Sequence, residues 1–207
     1  MESSVNAWNE IFARDGKVFT KPHEAMPGII QYLKANGASK VLDLGSGNGR
    51  HIVHLARNGF LVFGLDNAPE GLEITRRWLA DEGVQAELRL QDMREKLPYE
   101  DAFFDAVVSV QVIHHADIAT IRRIVEEVSR VLKAGGFLFV TVPRSRNPGV
   151  RYEQMEPNTF IPLEGTEKGL PHHFFTREEL RKVFKGYNVT DIVLDSSDHY
   201  CLSAFKR

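Results

Sequence analysis

The chain has 207 residues, 43% of them hydrophobic and 26% charged, with a formal net charge of −2. This is a globular composition, long enough to bury roughly 70% of the surface its unfolded form exposes, so folding requires neither disulfides nor metal. The near-neutral charge argues against a strong nonspecific grip on nucleic acid, and no apolar run reaches the roughly 20 residues of a membrane span.

Residues 1–9 lack the basic and then apolar order of a secretory signal. The one cysteine, Cys201, cannot pair within the chain, which points to a reducing, cytoplasmic setting. It falls in an apolar alternation and is expected to be buried rather than catalytic. Val5, Trp8, Ile11 and Phe12 recur at helical spacing and predict a helix over 5–13. A second helix is predicted over 23–36, with Met26, Ile29, Ile30 and Leu33 on one face and Gly37 as its stop. Residues 1–37 are expected to close over the site as a lid or to cover the edge of a sheet.

From residue 40 the periodicity changes. Strands are predicted over 40–44, 60–65, 86–90, 104–110 and 137–142, and helices over 50–58, 69–82 and 118–132. Pro69 suits the first turn of its helix. Ile121, Ile124, Val125, Val128 and Val131 make the last of these helices strongly amphipathic. Between Pro143 and Pro171 the periodicity is lost, so 143–171 reads as an insertion of the lid or binding-loop kind. A helix over 176–184 follows, with Thr176 and Glu179 spaced as a capping box. Strands over 188–194 and 200–205, joined by Asp195-Ser196-Ser197-Asp198, form a hairpin, so one of them runs antiparallel. Alternating strands and helices indicate a single α/β domain over 1–207 with a doubly wound, mostly parallel sheet.

Ligands of such sheets bind beyond the carboxyl ends of the strands. The strongest signal there is Gly45-Ser46-Gly47-Asn48-Gly49, between a strand and a helix, where glycines permit close backbone approach to a ligand. Asp66, 21 residues beyond Gly45 at the end of the second strand, can accept from both hydroxyls of a ribose or cap the next helix. A dinucleotide fold prefers Gly-x-Gly-x-x-Gly, but here the sixth position is Arg50. Asp43, just before the turn, suits a ligand carrying an amino group.

The series Asp43-Leu44-Gly45-Ser46-Gly47-Asn48-Gly49, Asp66, Gln91-Asp92-Met93, Phe104-Asp105-Ala106-Val107-Val108-Ser109 and Val131-Leu132-Lys133-Ala134-Gly135-Gly136 resembles the class I S-adenosylmethionine-dependent methyltransferases over residues 38–142. The resemblance implies a Rossmann-like sheet of seven strands in order 3-2-1-4-5-7-6, with strand 7 antiparallel, and S-adenosylmethionine as cofactor. It implies that Gly45, Gly47 and Gly49 lie against the methionyl and ribose parts, and Asp43 near the amino group, directly or through water. Asp66 would hold the ribose, Asn67 and Ala68 would flank the adenine, Asp92 and the Met93 N–H would meet its edge, and Gln111 would face the methionyl part. Asp105 belongs to the turn into the fourth strand rather than to the site.

For the methyl acceptor the candidates are two histidine pairs and the arginines after the fifth strand. His114 and His172 are the candidate catalytic groups, since imidazole can take a proton near neutrality. His115, His173, Arg144 and Arg151 are candidates for holding the acceptor. No metal is expected: adjacent histidines do not readily ligate one ion, and their spacing matches no zinc pattern. The reading that results is in-line methyl transfer to a small molecule. Three alternatives stand beside it: a transfer RNA methyltransferase of the wobble-uridine type, with steep salt dependence; a noncatalytic S-adenosylmethionine-binding module; and a nicotinamide-dependent oxidoreductase.

Overall fold

A computed structural model describes residues 3–207, with side chains from Ala7 onward. The inward side chain expected at Val5, and Met1 and Glu2 of the segment read for a signal, lie outside the described residues. In chain order the elements are α1 (Ser3–Asp15), α2 (Met26–Ala35), β1 (Lys40–Leu44), α3 (Arg50–Arg57), β2 (Leu61–Asp66), α4 (Pro69–Asp81), β3 (Glu87–Leu90), β4 (Phe104–Val110), α5 (Ile118–Val131) and β5 (Leu132–Pro143). They continue with β6 (Tyr152–Glu156), β7 (Thr159–Pro162), β8 (His172–His173), α6 (Arg177–Val183), β9 (Tyr187–Leu194) and β10 (His199–Lys206).

Seven strands form one sheet in the order β3-β2-β1-β4-β5-β10-β9. The first five pair in parallel, and β10 runs antiparallel to both β5 and β9. Counting only the strands of this sheet, the order is 3-2-1-4-5-7-6, as the resemblance implies.

Strand alternation divides the core. Leu42 and Leu44 pack with Ile121, Ile124, Val125 and Val128 of α5 and Leu180 of α6. Val41 faces the other way, toward Met26, Ile30 and Leu33 of α2 and Ile52, Val53 and Leu55 of α3. Helices therefore cover both faces, and the strands between them carry the near-continuous apolar runs of a buried parallel sheet. β3 is the exception: it is an edge strand, and most of its side chains lie outside. Asp105 lies at the opposite end from the glycine turn, accepting from the Ser39 and Lys40 N–H groups (2.9 and 2.8 Å) and pairing with Lys133.

Three local expectations change. α2 begins at Met26 rather than at residue 23, because Pro27 fits only the first turn of a helix. Thr176 caps α6 by accepting from the Glu179 N–H (3.1 Å), but the Glu179 carboxylate turns to His173 (3.2 Å), so only half of the capping box forms. Residues 143–171 are not featureless: β6 and β7 form a hairpin that pairs with β8 as a small antiparallel sheet.

Residues before α2 are fastened to the distant β9–β10 turn. His23 Nε2 donates to Asp195 Oδ2 (3.1 Å), and the Ser196 N–H donates to Glu24 Oε1 (3.0 Å). α1 lies on α4, where the Glu70 N–H donates to Asn9 Oδ1 (2.9 Å).

Candidate active site

β1 delivers the chain into the glycine turn, and the turn is held by its neighbour strand. The Gly45 and Ser46 N–H groups donate to the Leu65 carbonyl (2.8 and 3.2 Å). Gly45 has φ +75°, and a Cβ there would lie 2.2 Å from Val112 Cγ1; Gly49 has φ +86°, and a Cβ would lie 2.5 Å from Thr75 Cγ2. Both positions therefore exclude a side chain by conformation and by space. Asp66 closes the arrangement: its Oδ2 accepts from the Gly47 N–H and its Oδ1 from the Ala68 N–H, both at 2.8 Å. It does not cap α4, whose N-cap is Ala68 without a side-chain bond. Burial raises the Asp66 pKa against the pull of those N–H groups. Each oxygen keeps a lone pair for a further donor.

Asp43 is 1% exposed, and neither carboxylate oxygen has a hydrogen-bond partner among the described residues. Burial pushes its pKa up to about 7, with Arg50 pulling it down and Asp66 pushing it up. His51 Nδ1 lies 3.9 Å from it, while His51 Nε2 accepts from the His23 N–H (3.2 Å). Asn48 Nδ2 and Ser46 Oγ are also buried without partners. A buried carboxylate, amide and hydroxyl left unsatisfied around one turn are costly unless a ligand completes them.

A cavity of about 300 Å³ lies beyond these strand ends. Asp66, Asn67, Asp92 and Met93 line one end, the glycine turn the middle, and Gln111, His114, His115 and His172 the other. Trp8 and Phe12 of α1 roof it, with Phe12 buried and Trp8 set edge-on to His115 at 5.8 Å. Gln111 has φ +61°, a strained backbone for a non-glycine residue of the kind concentrated at functional sites. It is secured by its N–H donating to the Thr141 carbonyl (3.2 Å) and hydroxyl (2.9 Å).

Several expected site residues lie elsewhere. Gly49 and Asp43 support the turn from behind and are not on the cavity wall. Asp92 is on the wall, but its carboxylate is gripped by the Arg94 guanidinium and backbone N–H. His173 is fully buried between Thr159 Oγ1 (2.7 Å) and Glu179, so it pins the small sheet to α6 instead of facing an acceptor. Arg144 pairs with Asp198 (3.0 Å) and Arg151 with Glu164 (3.5 Å), both at the surface and off the wall. These arginines follow β5 in sequence, but the chain carries them outward before β8 turns back inward at His172.

His172 Nε2 lies 3.0 Å from Glu167 Oε2, and its Nδ1 faces the Leu170 carbonyl (2.9 Å). His115 Nδ1 faces the Pro171 carbonyl (3.3 Å), and burial takes its pKa down to about 4. Burial, with His115 and His172 nearby, also holds the His114 imidazole well below its ordinary value, and its Nδ1 has no partner among the described residues. Sequence reasoning missed Glu167 and His199, which also line the cavity. Glu167 stands in the aperiodic insertion, and His199 starts a strand whose apolar pattern conceals it. Arg50 lines the cavity too, its guanidinium 5.2 Å from the Phe19 ring. Cys201 is buried, which pushes its thiol up to about 12 and keeps it protonated.

A family model described as a methyltransferase domain matches residues 41–136, which hold the turn, Asp66, Asp92 and the first part of the histidine end. Over those residues the chain carries a methyltransferase domain of the class I S-adenosylmethionine-dependent kind. The chain is 31% identical over 122 residues to a ubiquinone biosynthesis O-methyltransferase of Xylella fastidiosa, covering 58% of this chain and 49% of that one. It thus spans about half the length of the curated relatives it matches. In fold, the chain superposes on an S-adenosylmethionine-dependent methyltransferase of Methanosarcina mazei with a TM-score of 0.73 at 23% identity, covering 87% and 97% of the two chains. It also superposes on the 1,6-didemethyltoxoflavin-N1-methyltransferase of Burkholderia thailandensis, solved with 1,6-didemethyltoxoflavin and S-adenosylhomocysteine bound, with a TM-score of 0.69 at 20% identity, covering 97% and 88%. Among the described residues no helix is long and apolar enough to cross a membrane.

Proposed function

We propose that the chain transfers a methyl group from S-adenosylmethionine to a small-molecule acceptor held at the histidine end of the cavity. The observation that carries this reading is the arrangement of unsatisfied groups. A buried carboxylate, an amide and a hydroxyl surround a glycine turn, with a second carboxylate beside it and a roofed compartment beyond. The residues fit the cofactor. Asn48 would complete its amino-acid part, Asp43 would reach its amino group through water from behind the turn, Asp66 would hold its ribose, Asn67 and Met93 would meet its adenine, and Gln111 would form the wall beside its methionyl chain. Asp92 would offer the adenine amino group the lone pairs that Arg94 leaves free. The cofactor, when bound, supplies a methyl group already activated on a sulfonium.

The chain's own residues then do the work of positioning. The turn fixes one end of the reaction line. His114, His115 and His172 bound the other and orient the acceptor by hydrogen bonds. Trp8 and Phe12 exclude water from above. A roofed cavity of about 300 Å³ suits a metabolite, and the names of the relatives agree with that class. Arg144 and Arg151 are tied to carboxylates away from the cavity wall. A reducing, cytoplasmic setting accords with the free, buried cysteine.

Calorimetry with S-adenosylhomocysteine tests the cofactor site, and product formation against a metabolite library tests the transfer. One equivalent of binding with turnover is expected. Uptake of a nicotinamide dinucleotide in place of S-adenosylhomocysteine overturns the reading. Binding without transfer to any acceptor leaves a noncatalytic module, and binding of transfer RNA that falls steeply with salt moves the acceptor class to RNA.

A further inference from the structure

Histidines adjacent in sequence ordinarily diverge, but this fold makes a pair converge. The His115 N–H donates to the Val112 carbonyl (3.1 Å), closing a turn that leaves the His114 and His115 rings 4.0 Å apart between centroids. β8 returns from the small sheet to the same place: the His173 N–H donates to the His114 carbonyl (2.9 Å). That contact sets the His172 ring 5.5 Å from His114 and 4.6 Å from His115. One ring nitrogen from each of the three lies within 4.8 Å of the other two.

The hydrogen bonds around the rings leave Nε2 of His115 and of His172 as lone-pair nitrogens. A carbonyl only accepts, so His115 Nδ1, facing Pro171, and His172 Nδ1, facing Leu170, both carry hydrogen. A ligating imidazole is commonly anchored in this way by its far nitrogen. His172 Nε2 then meets Glu167 Oε2 at 3.0 Å. A nitrogen lone pair and a carboxylate, two acceptors face to face, are complete only with a shared proton or a metal ion between them. His114 Nδ1 is buried and unpartnered. The other cluster of ligand type, His23, Asp195 and Cys201, differs. There His23 Nδ1 accepts from the Ala25 N–H and Nε2 donates to Asp195, so its ring is already satisfied.

We propose that His114, His115 and His172, with Glu167 beside them, form a binding site for one divalent transition-metal ion at the acceptor end of the cavity. Three imidazoles select a borderline ion of the Zn²⁺, Co²⁺ or Fe²⁺ kind over Mg²⁺ or Ca²⁺. Binding draws the three nitrogens together, since tetrahedral ligands at about 2.0–2.1 Å from an ion stand about 3.3 Å apart. The coordination position facing the cavity stays open for an oxygen of the acceptor. The purpose of the ion rests on the proposed methyl transfer; its binding does not, and is measured without turnover.

The 207-residue chain, freed of metal with a chelator, is titrated with Co²⁺, followed by its visible absorption, and with Zn²⁺ by calorimetry. S-adenosylhomocysteine is titrated in parallel. One equivalent of ion is expected, with affinity at least tenfold weaker in both His115→Gln and His172→Gln and unchanged in His23→Gln. No binding to the unsubstituted chain at micromolar concentrations overturns the site, as does equal affinity in the two cavity variants. If either of those variants fails to fold, Glu167→Gln decides: weakened binding supports the site and unchanged binding counts against it. Ion binding without S-adenosylhomocysteine binding sinks the cofactor reading alone, and the converse sinks the metal site alone.

Discussion

Individual residues carry the sharpest consequences. Gly45→Ala places a methyl group 2.2 Å from Val112 Cγ1 at φ +75°, which costs on the order of 1–3 kcal/mol in strain and closes the turn to a ligand. Its melting temperature should fall and its heat of S-adenosylhomocysteine binding should vanish; normal binding would remove Gly45 from the cradle. Asp43 gives a pH signature. Its folded pKa is raised to about 7 from an ordinary 3.8, so its effect on stability is fully favourable below the unfolded pKa and is lost as pH rises through about 7. Without ligand, Asp43→Asn should therefore raise the melting temperature more at pH 8 than at pH 4. An ammonium group near Asp43 favours the ionised form, so binding below pH 7 should release protons. Calorimetry in buffers of different ionisation heat reads that release, and its persistence in Asp43→Asn would exclude this residue as the source. The turn and Asp66 were legible in the sequence because each stands at the end of a predicted strand, whereas Met93 came only from the family resemblance. His51 and His199 were not, because their partners, Asp43 and Asp195, approach only through tertiary packing.

At the level of elements, α1 is the piece whose role the sequence left open between lid and edge cover. It lies on α4 and roofs the cavity with Trp8 and Phe12. The chain has two tryptophans, and the other, Trp78 in α4, is off the cavity wall. Emission should change on S-adenosylhomocysteine binding, and Trp8→Phe should abolish the change while Trp78→Phe retains it. The reverse pattern would deny α1 its place over the ligand. Phe12→Ala removes a buried ring packed near Gly47 and should cost about 3–5 kcal/mol, read as a lower denaturant midpoint. The β6–β7 hairpin escaped the sequence because β6 is mostly exposed and carries no buried alternation, and β8 is two residues long. Their pairing partners, not their own patterns, define them.

For the molecule as a whole, a mostly parallel sheet with one antiparallel strand followed from alternating apolar runs and a terminal hairpin, and the strand order from the family resemblance. Such features are legible because a sheet covered on both faces constrains composition along every central strand. The acceptor was not legible, because its compartment is assembled from the ends of β4 and β5, the insertion and the last strand. Ligand occupancy should be visible in global stability. S-adenosylhomocysteine at 100 times its dissociation constant should add about 2.7 kcal/mol, seen as a rising melting temperature. A melting temperature indifferent to ligand would mean that the folded state does not hold it.

The bond between His23 and Asp195 spans 172 positions of the chain. During synthesis the glycine turn and its strands leave the ribosome long before the residue that fastens the N-terminal segment against them. A nascent chain that has not yet reached Asp195 is therefore expected to hold its pocket open, with retention beginning once the β9–β10 hairpin is in place. Chains stalled at residue 194 should exchange labelled S-adenosylhomocysteine much faster than released ones. Equal exchange rates would show that the roof closes without its clasp.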